Sequence, residues 1–386
     1  MTQSQSPRSI AVLTTGRQDW GILRSTALAL RAHPDTRLVL LAGGMHLSAR
    51  HGRTLDDLIE DGFEIDRALA WLGDDPELPA AVQAARALEL TAAALAETRP
   101  EALLLAGDRF ETMSAAVGAT IATVPLVHLH GGEQTGGAFD DAFRHAITKL
   151  AHLHLVSHEE HAARVRALGE DPSAIRVVGA PGLDNAVRAD LPDSAQLEAR
   201  LGIELRPPVI AVTVHPVTLD RDPAAVVAPV LAAMDAVPAT YVVTLPNVDP
   251  GSEPIRRALL SAVAGRSDRV ALPALGERDY WGLLRIADAA LGNSSSALIE
   301  APAVDLPAVD VGDRQLGRRR EANVIHAGEG TGEVVAALHR ALDPAFRRSV
   351  AAAHPPLADG HAGERIARII AAWQPPDLPR KPPIPI

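Results

Sequence analysis

Glu133, Asp140 and Asp141 stand in or beside one glycine-rich stretch, HLHGGEQTGGAFDDAFRH, that runs from His128 to His145. Carboxylates in such a setting do two kinds of work. Ionised, they steady positive charge developing on a substrate; with a suitable pKa, they take or give a proton. Each also has a local duty to be weighed. Asp140 opens an apolar recurrence of helical period (Ala142, Phe143, Ala146, Ile147, Leu150), so it reads equally as an N-cap, and Asp141 suits the positive end of the helix dipole. Glu133, following Gly131-Gly132, caps nothing obvious. A second charged pair, Asp108-Arg109, follows Gly107. A structural ion pair is the plain reading of those two. Two strands that both end in titratable groups favour a cleft instead.

His128-x-His130 and His152-x-His154 each set two imidazoles on one face of an extended strand, a spacing that with nearby carboxylates suits zinc or iron. No helix carries a His-x-x-x-His pair with a glutamate, so acid–base work or hydrogen bonding to a sugar is preferred and no metal is assigned.

These residues need strands that end where they sit. The apolar run at 125–130 breaks at Gly131-Gly132, which reads as strand, loop and then helix. Residues 9–15 read as a buried strand entering Thr15-Gly16-Arg17-Gln18-Asp19, with a helix at 22–32, the opening of a Rossmann-like unit. Arg17 lies where such loops grip anions; as a bare residue it is a solvated charge. Strands at 38–42, 102–106, 153–157 and 175–179 and an alanine-rich helix at 83–97 continue the unit. Gly179-Ala180-Pro181-Gly182 reads as a hinge, and residues 191–205 as a polar helix.

The alternation then restarts: strand 209–214 ending at His215-Pro216, helix 224–236, strand 241–245, helix 255–263, strand 270–272, helix 280–287 and strand 289–292. Gly292-Asn293-Ser294-Ser295-Ser296 leads into a helix at 297–301, whose free amides and serine hydroxyls suit a diphosphate; a plain serine N-cap is the alternative. Glu300, about a turn further in, can accept hydrogen bonds from ribose hydroxyls. After a strand at 307–311, Arg314 is the preferred phosphate clamp ahead of the Arg318-Arg319-Arg320 run, a pattern usual for a solvated face. Residues 360–373 form a last amphipathic helix, followed by an extended proline-rich tail from Gln374. The expectation is an α/β chain with two Rossmann-like domains, 1–182 carrying the carboxylates and 183–359, then 360–386 as final helix and tail.

Composition narrows the partners. With 386 residues and 47% hydrophobic content, two sizeable cores are expected, filled by aliphatic residues because only 3% are aromatic. A formal net charge of -11 argues against nucleic acid or an anionic membrane as partner. Without cysteine there is no disulfide, thiolate catalysis or Cys-ligated zinc. The N-terminus shows no signal-peptide pattern and no apolar run reaches membrane-spanning length, so a cytoplasmic protein is expected. Lysine occurs only at Lys149 and Lys381.

The segments TTGRQDWGILR, AGGMHLS, LLAGDRFE, HLHGGEQTGGAFDDAFRHAITKLAHLHLVS, VVGAPGLDN, TVHPVT, GNSSSALIEAP and VGDRQLGRRREANVI, in order along nearly the whole chain, resemble the hydrolysing UDP-N-acetylglucosamine 2-epimerases that open sialic-acid-type sugar pathways. The resemblance implies a GT-B fold: two Rossmann-like domains with the nucleotide sugar in the cleft between them and a C-terminal helix crossing back to the first. It implies loss of UDP from C1 as a base removes the C2 proton, then addition of water to the resulting glycal, giving free N-acetylmannosamine. It implies no redox cofactor, no metal and a homodimer or homotetramer.

By motif position Asp108, Glu133 and Asp140 match the catalytic carboxylates, and His215 a catalytic or diphosphate-contacting histidine. Arg17, Arg109, Ser294, Ser295, Ser296, Glu300 and Arg314 match UDP ligands, while Arg144 and His145 share the matched helix. Gln18 and Trp20 replace a small residue and a tyrosine, a change expected to reshape the nucleotide entrance. The non-hydrolysing epimerases carry an acidic residue in an HxEAG pattern where His130 stands here, with Glu133 three places on. A GT-B glycosyltransferase needs no such set of carboxylates, and a nucleotide-sugar sensor has no use for one.

Overall fold

A computed structural model describes residues 6–48, 54–72, 78–134, 140–217, 224–246, 252–273, 275–355, 357–376 and 381. The chain divides into two compact units, one of Met1–Asp184 with Gly360–Ile386, the other of Asn185–Asp359.

The first unit is built on a parallel sheet of strands β1 (Arg8–Thr14), β2 (Thr36–Gly43), β3 (Arg67–Leu69), β4 (Ala102–Ala106), β5 (Leu126–Leu129), β6 (Leu153–Val156) and β7 (Ile175–Val177). Their order is β3-β2-β1-β4-β5-β6-β7. Parallel strands covered on both faces read as unbroken apolar runs, and β1 shows how each residue chooses its side. Ile10 and Val12 enter the core under the helix Arg17–Ala32, while Ala11 and Leu13 enter the one under the helices Ala80–Thr98 and Phe110–Ile121. Scarce aromatics let those last two helices pack closely: a Cβ on Gly118 would lie 3.1 Å from the carbonyl oxygen of Leu88.

The second unit repeats the plan with β8 (Val209–Thr213), β9 (Thr240–Thr244), β10 (Arg269–Leu272), β11 (Ala289–Gly292), β12 (Ala308–Val311) and β13 (Val324–Ala327), ordered β10-β9-β8-β11-β12-β13. In both sheets the strand order reverses at one place, β1/β4 and β8/β11. Loops diverge there beyond the carboxyl ends, where open α/β sheets take ligands.

The helix Ala362–Ala372 belongs to the first unit. Its Ile366 and Ile370 are fully buried in that unit's core, each burial contributing about 2–3 kcal/mol. Gly363 lets it settle on the first helix, since a Cβ there would meet the backbone of Ser25 at 2.6 Å. The Asp184 carboxylate accepts from the amides of Ala362 (3.0 Å) and Gly363 (2.7 Å), capping the helix from far back in the chain.

Several expectations are corrected. The helix expected at 191–205 is confined to Ser194–Leu201, started by a capping box of Asp193 and Gln196 and stopped by Gly202 at φ 71°. The helix expected at 297–301 is the single turn Ser296–Ile299, passing into a 3-10 turn at Ala301–Val304, because Pro302 lacks an amide proton and crowds the preceding turn. The segment at 179–182 leads straight into a 3-10 turn at Pro181–Val187. Strands β3 and β13 and the helices Glu159–Ala167, Thr331–Ala341 and Pro344–Ala352 had not been expected. Among the described residues no helix is long and apolar enough to cross a membrane. Gly136-Gly137 and all of the tail past Pro376 except Lys381 lie outside the described residues.

Candidate active site

In the first unit, β4 and β5 deliver their loops side by side. Gly107, at φ 79°, turns the chain at the end of β4, and its amide donates to Leu129 at 3.1 Å. Asp108 and Arg109 follow at the start of the helix Phe110–Ile121. Past β5 the chain bends through His130 at φ 65° and Gly132 at φ 77°. The Gly131-Gly132 pair leaves no room for side chains: a Cβ on Gly131 would lie 3.1 Å from Nδ1 of His128, and one on Gly132 would lie 2.4 Å from the carbonyl oxygen of His161. This bend carries Glu133 to the end of the sheet.

The hub is Arg144, on the buried face of the helix Asp140–Leu150 with Ile147 and Thr148. Its guanidinium donates to Asp108, reaches Glu133 Oε2 at 3.5 Å and the His130 carbonyl at 3.4 Å, and lies 3.7 Å from Asp141 Oδ1. Glu133 has further partners on its other oxygen: His130 Nδ1 at 2.6 Å and the Ser157 hydroxyl at 3.0 Å. Nδ1 of His161 lies 2.8 Å from that hydroxyl and 3.9 Å from the same Glu133 oxygen.

The two carboxylates are driven in opposite directions. Burial pushes Asp108 above the ordinary carboxylate range, helped by the charges of Asp140 and Glu133 and opposed by Arg144. Burial acts the same way on Glu133, but His130, His161 and Arg144 outweigh it and hold that carboxyl well below its ordinary value.

The sequence reading paired histidines by strand spacing, and the structure separates them. His128 is fully buried and spans Thr148 Oγ1 (3.2 Å) and the Gly107 carbonyl (2.9 Å); burial lowers its pKa to about 3, so it is a neutral brace for the turn before Asp108. His130 lies beyond the strand end, His152 receives the Leu126 amide at 3.2 Å, and His154 contacts Glu170 at 3.0 Å. Among the described residues no group of His, Asp and Glu is gathered to hold a metal ion.

At the β1/β4 reversal, the Asp19 carboxylate accepts the Thr15 hydroxyl and, at 3.1 Å, the Thr15 amide. Arg109 is engaged by the buried Glu111 at 2.8 and 3.2 Å, leaving part of its donor set for a ligand. Arg17 opens the first helix with its side chain exposed. Trp20 does not line an entrance: it is buried, stacked edge-on against Phe63 at 4.9 Å, and its indole donates to Asp61 at 2.9 Å. Nδ1 of His145 is buried without a hydrogen-bond partner among the described residues.

The β8/β11 reversal in the second unit is tied by a ring of two hydrogen bonds. The His215 amide donates to Asn293 Oδ1 at 2.7 Å, and Asn293 Nδ2 donates to the His215 carbonyl at 2.8 Å. Gly292, at φ 140°, is forced by this closeness, since a Cβ would lie 1.9 Å from the Thr213 carbonyl oxygen. The Asn293 carbonyl accepts from Arg314 at 3.1 Å and Gln315 at 2.9 Å.

Ser294 Oγ accepts the Ser296 amide at 3.3 Å, Ser296 Oγ accepts from Tyr280 at 2.7 Å, and Ser295 caps nothing with its side chain. With one helical turn behind them, these residues offer amides and hydroxyls with little help from a macrodipole. Burial pushes the Glu300 carboxyl upward, and its Oε2 finds no hydrogen-bond partner among the described residues. The arginine run is not a uniformly solvated face: Arg320 holds the buried Asp310 at 2.8 Å and Arg319 pairs with Glu321 at 2.6 Å.

Sequence reasoning gave Arg144 no role and missed Ser157, His161, Asn293 and Gln315. The usable signal for Arg144 was its place on the helix stripe that also holds Ile147 and Thr148.

Known proteins resemble the chain in sequence and in fold. The family described as UDP-N-acetylglucosamine 2-epimerase matches residues 28–371. The chain is 32% identical over 324 residues to the GDP/UDP-N,N'-diacetylbacillosamine 2-epimerase (hydrolyzing) of Campylobacter jejuni, covering 83% of this chain and 84% of that protein. It is 30% identical over 367 residues to the polysialic acid biosynthesis protein P7 of Escherichia coli, covering 94% and 93%. The crystal structure of UDP-GlcNAc 2-epimerase from Neisseria meningitidis bound to UDP-GlcNAc aligns with a TM-score of 0.77 at 15% identity, over 94% of this chain and 99% of that one, which gives the fold as GT-B.

Proposed function

The chain belongs to the UDP-N-acetylglucosamine 2-epimerase family, and from that premise we propose that it is a hydrolysing 2-epimerase of the kind that opens sialic-acid-type pathways. Its substrate is a UDP-linked 2-acetamido sugar, either N-acetylglucosamine or a 2,4-diacetamido-6-deoxy relative. In the first step Glu133 takes the proton from C2, the C–H electrons form the C1–C2 double bond, and the C1–O bond breaks to release UDP. In the second, water adds to C1 of the glycal and a proton returns to C2 on the opposite face. The products are a free 2-epimeric sugar and UDP.

The observation that carries this reading is the opposed pair around Arg144. Arg144 reaches both Asp108 and Glu133; Glu133, held ionised by His130, His161 and Arg144, is the proposed proton acceptor, and Asp108 is the proposed donor to the opposite face. The C2 proton has no adjacent carbonyl to acidify it. Early C1–O cleavage therefore puts positive charge on the ring, which carboxylates including Asp140 stabilise. Ser294, Ser295, Ser296 and Arg314 are the groups proposed to hold the pyrophosphate, with His215 beside them, and Glu300 is proposed to receive the ribose hydroxyls. Arg17, Arg109 and His145 are proposed as further contacts to the nucleotide sugar. The name of the Campylobacter jejuni relative supports the hydrolysing form.

The test is a product analysis by NMR in deuterated water with each UDP-sugar. Free UDP and a reducing sugar deuterated at C2 are expected. A product that keeps its UDP makes the enzyme a non-hydrolysing epimerase, and turnover only with an added acceptor makes it a transferase.

A further inference from the structure

The only two lysines in the chain meet on one carboxylate. Glu170, 5% exposed, receives Lys149 at 2.7 Å, Lys381 and, at 3.0 Å, Nε2 of His154. Lys381 comes from the C-terminal tail and does more than neutralise charge. Its ammonium also donates to the carbonyl oxygens of Thr148 (3.2 Å) and Lys149 (2.8 Å). Those are among the last carbonyls of the helix Asp140–Leu150, which have no partners within the helix and carry the negative end of its dipole. A distant ammonium thus closes the end of the helix whose other residues form the candidate site.

The link from that cap to the chemistry is short. Thr148 is one turn beyond Arg144 on the same buried face. Its hydroxyl meets Nδ1 of His128 at 3.2 Å, and Nε2 of His128 meets the Gly107 carbonyl at 2.9 Å, next to Asp108. A shift of the helix along its axis therefore moves Arg144 against Asp108 and Glu133, and moves the brace behind Asp108 as well.

We propose that Lys381 is a positioning residue of the reaction: by capping the helix Asp140–Leu150 and sharing Glu170 with Lys149, it sets where Arg144 holds Asp108 and Glu133. The tail is then required for turnover, while UDP capture by the second unit does not depend on it. This rests on the reaction proposed above, but the helix position has its own readout.

The test uses the full-length protein with Lys381→Met and Lys381→Arg. Hydrogen exchange of amides 140–150 is expected to accelerate in Lys381→Met and return toward wild type in Lys381→Arg. In the same pair, kcat is expected to fall about tenfold or more in the first and recover in the second, with KM changed far less. Unchanged exchange in Lys381→Met overturns the proposal. So does wild-type kcat with an unaltered pH profile, and so does a loss of kcat that Lys381→Arg fails to restore. If the wild type turns over no UDP-sugar yet the exchange difference appears, the reaction assignment falls and the helix cap stands.

Discussion

His130 Nδ1 lies 2.6 Å from Glu133 Oε1, across a bend that requires glycine at position 132. The imidazole thus sits against the carboxylate proposed as base and, with His161 and Arg144, keeps it ionised despite burial. Replacing Glu133 by glutamine keeps the shape and removes the base. Glu133→Gln is expected to slow UDP release by about a thousandfold, the usual contribution of a general base, with UDP affinity by calorimetry within a factor of about two. A fully active variant would take Glu133 out of the catalytic set.

Among the described residues, Arg144 is the arginine that pairs with both Asp108 and Glu133. Arg144→Met takes the buried guanidinium from the half-buried Asp108, while Glu133 keeps His130 and Ser157. The loss of stability is expected to be about 3 kcal/mol, read from urea unfolding. Asp108, already raised by burial, is expected to rise further without the opposing Arg144 charge, which moves the alkaline limb of the kcat/KM profile, where the proposed acid loses its proton, to higher pH. An unmoved limb would separate Asp108 from the reaction.

The second unit is tested through Asn293. Asn293→Ala removes both bonds to His215 and loosens the backbone that Arg314 and Gln315 grip. UDP affinity is expected to drop about tenfold or more, equal to about 1.4 kcal/mol. Calorimetry showing wild-type affinity would place the nucleotide elsewhere.

Acid should weaken the first unit in two stages. Burial lowers His46 from 6.5 to about 4 and His128 from 6.5 to about 3, so both are neutral when folded. Below pH 6.5 the unfolded chain gains protons the native state refuses, and each histidine removes up to about 1.4 kcal/mol per pH unit until its folded value is reached. Glu170, held at about 2 against an ordinary 4.5 because hydrogen bonds from His154, Lys149 and Lys381, with the Lys381 charge, outweigh its burial, adds stability above pH 4.5 that is lost as pH falls toward 2. Urea midpoints across pH 7 to 3 should therefore decline, with the steepest fall below 4.5. A flat curve from 7 to 5 contradicts the histidine part. A Glu170→Gln protein that keeps the steep acid fall contradicts the other.

The strands that end in chemistry were legible because buried parallel strands are continuous apolar runs and each stops at glycine or a charged residue: β1 at Thr15-Gly16, β4 at Gly107-Asp108, β11 at Gly292-Asn293. What could not be read was who holds whom. Arg144 looked like any helix arginine, since its role comes from β4 and β5 being neighbours, a long-range fact. Trp20 looked like an entrance residue beside Arg17, yet helical geometry turns it inward onto Phe63. The one-turn helix after Ser295 was overestimated because Pro302 was given too little weight against the apolar pattern.

The helix Ala362–Ala372, resting on the first helix and capped by Asp184, has a consequence for biosynthesis. The unit that is translated first is the one that closes last. Until the ribosome has made the chain through Ala372, the core that holds Leu23, Ala27 and Leu30 lacks Ile366 and Ile370, and it stays incomplete through the making of the entire second unit.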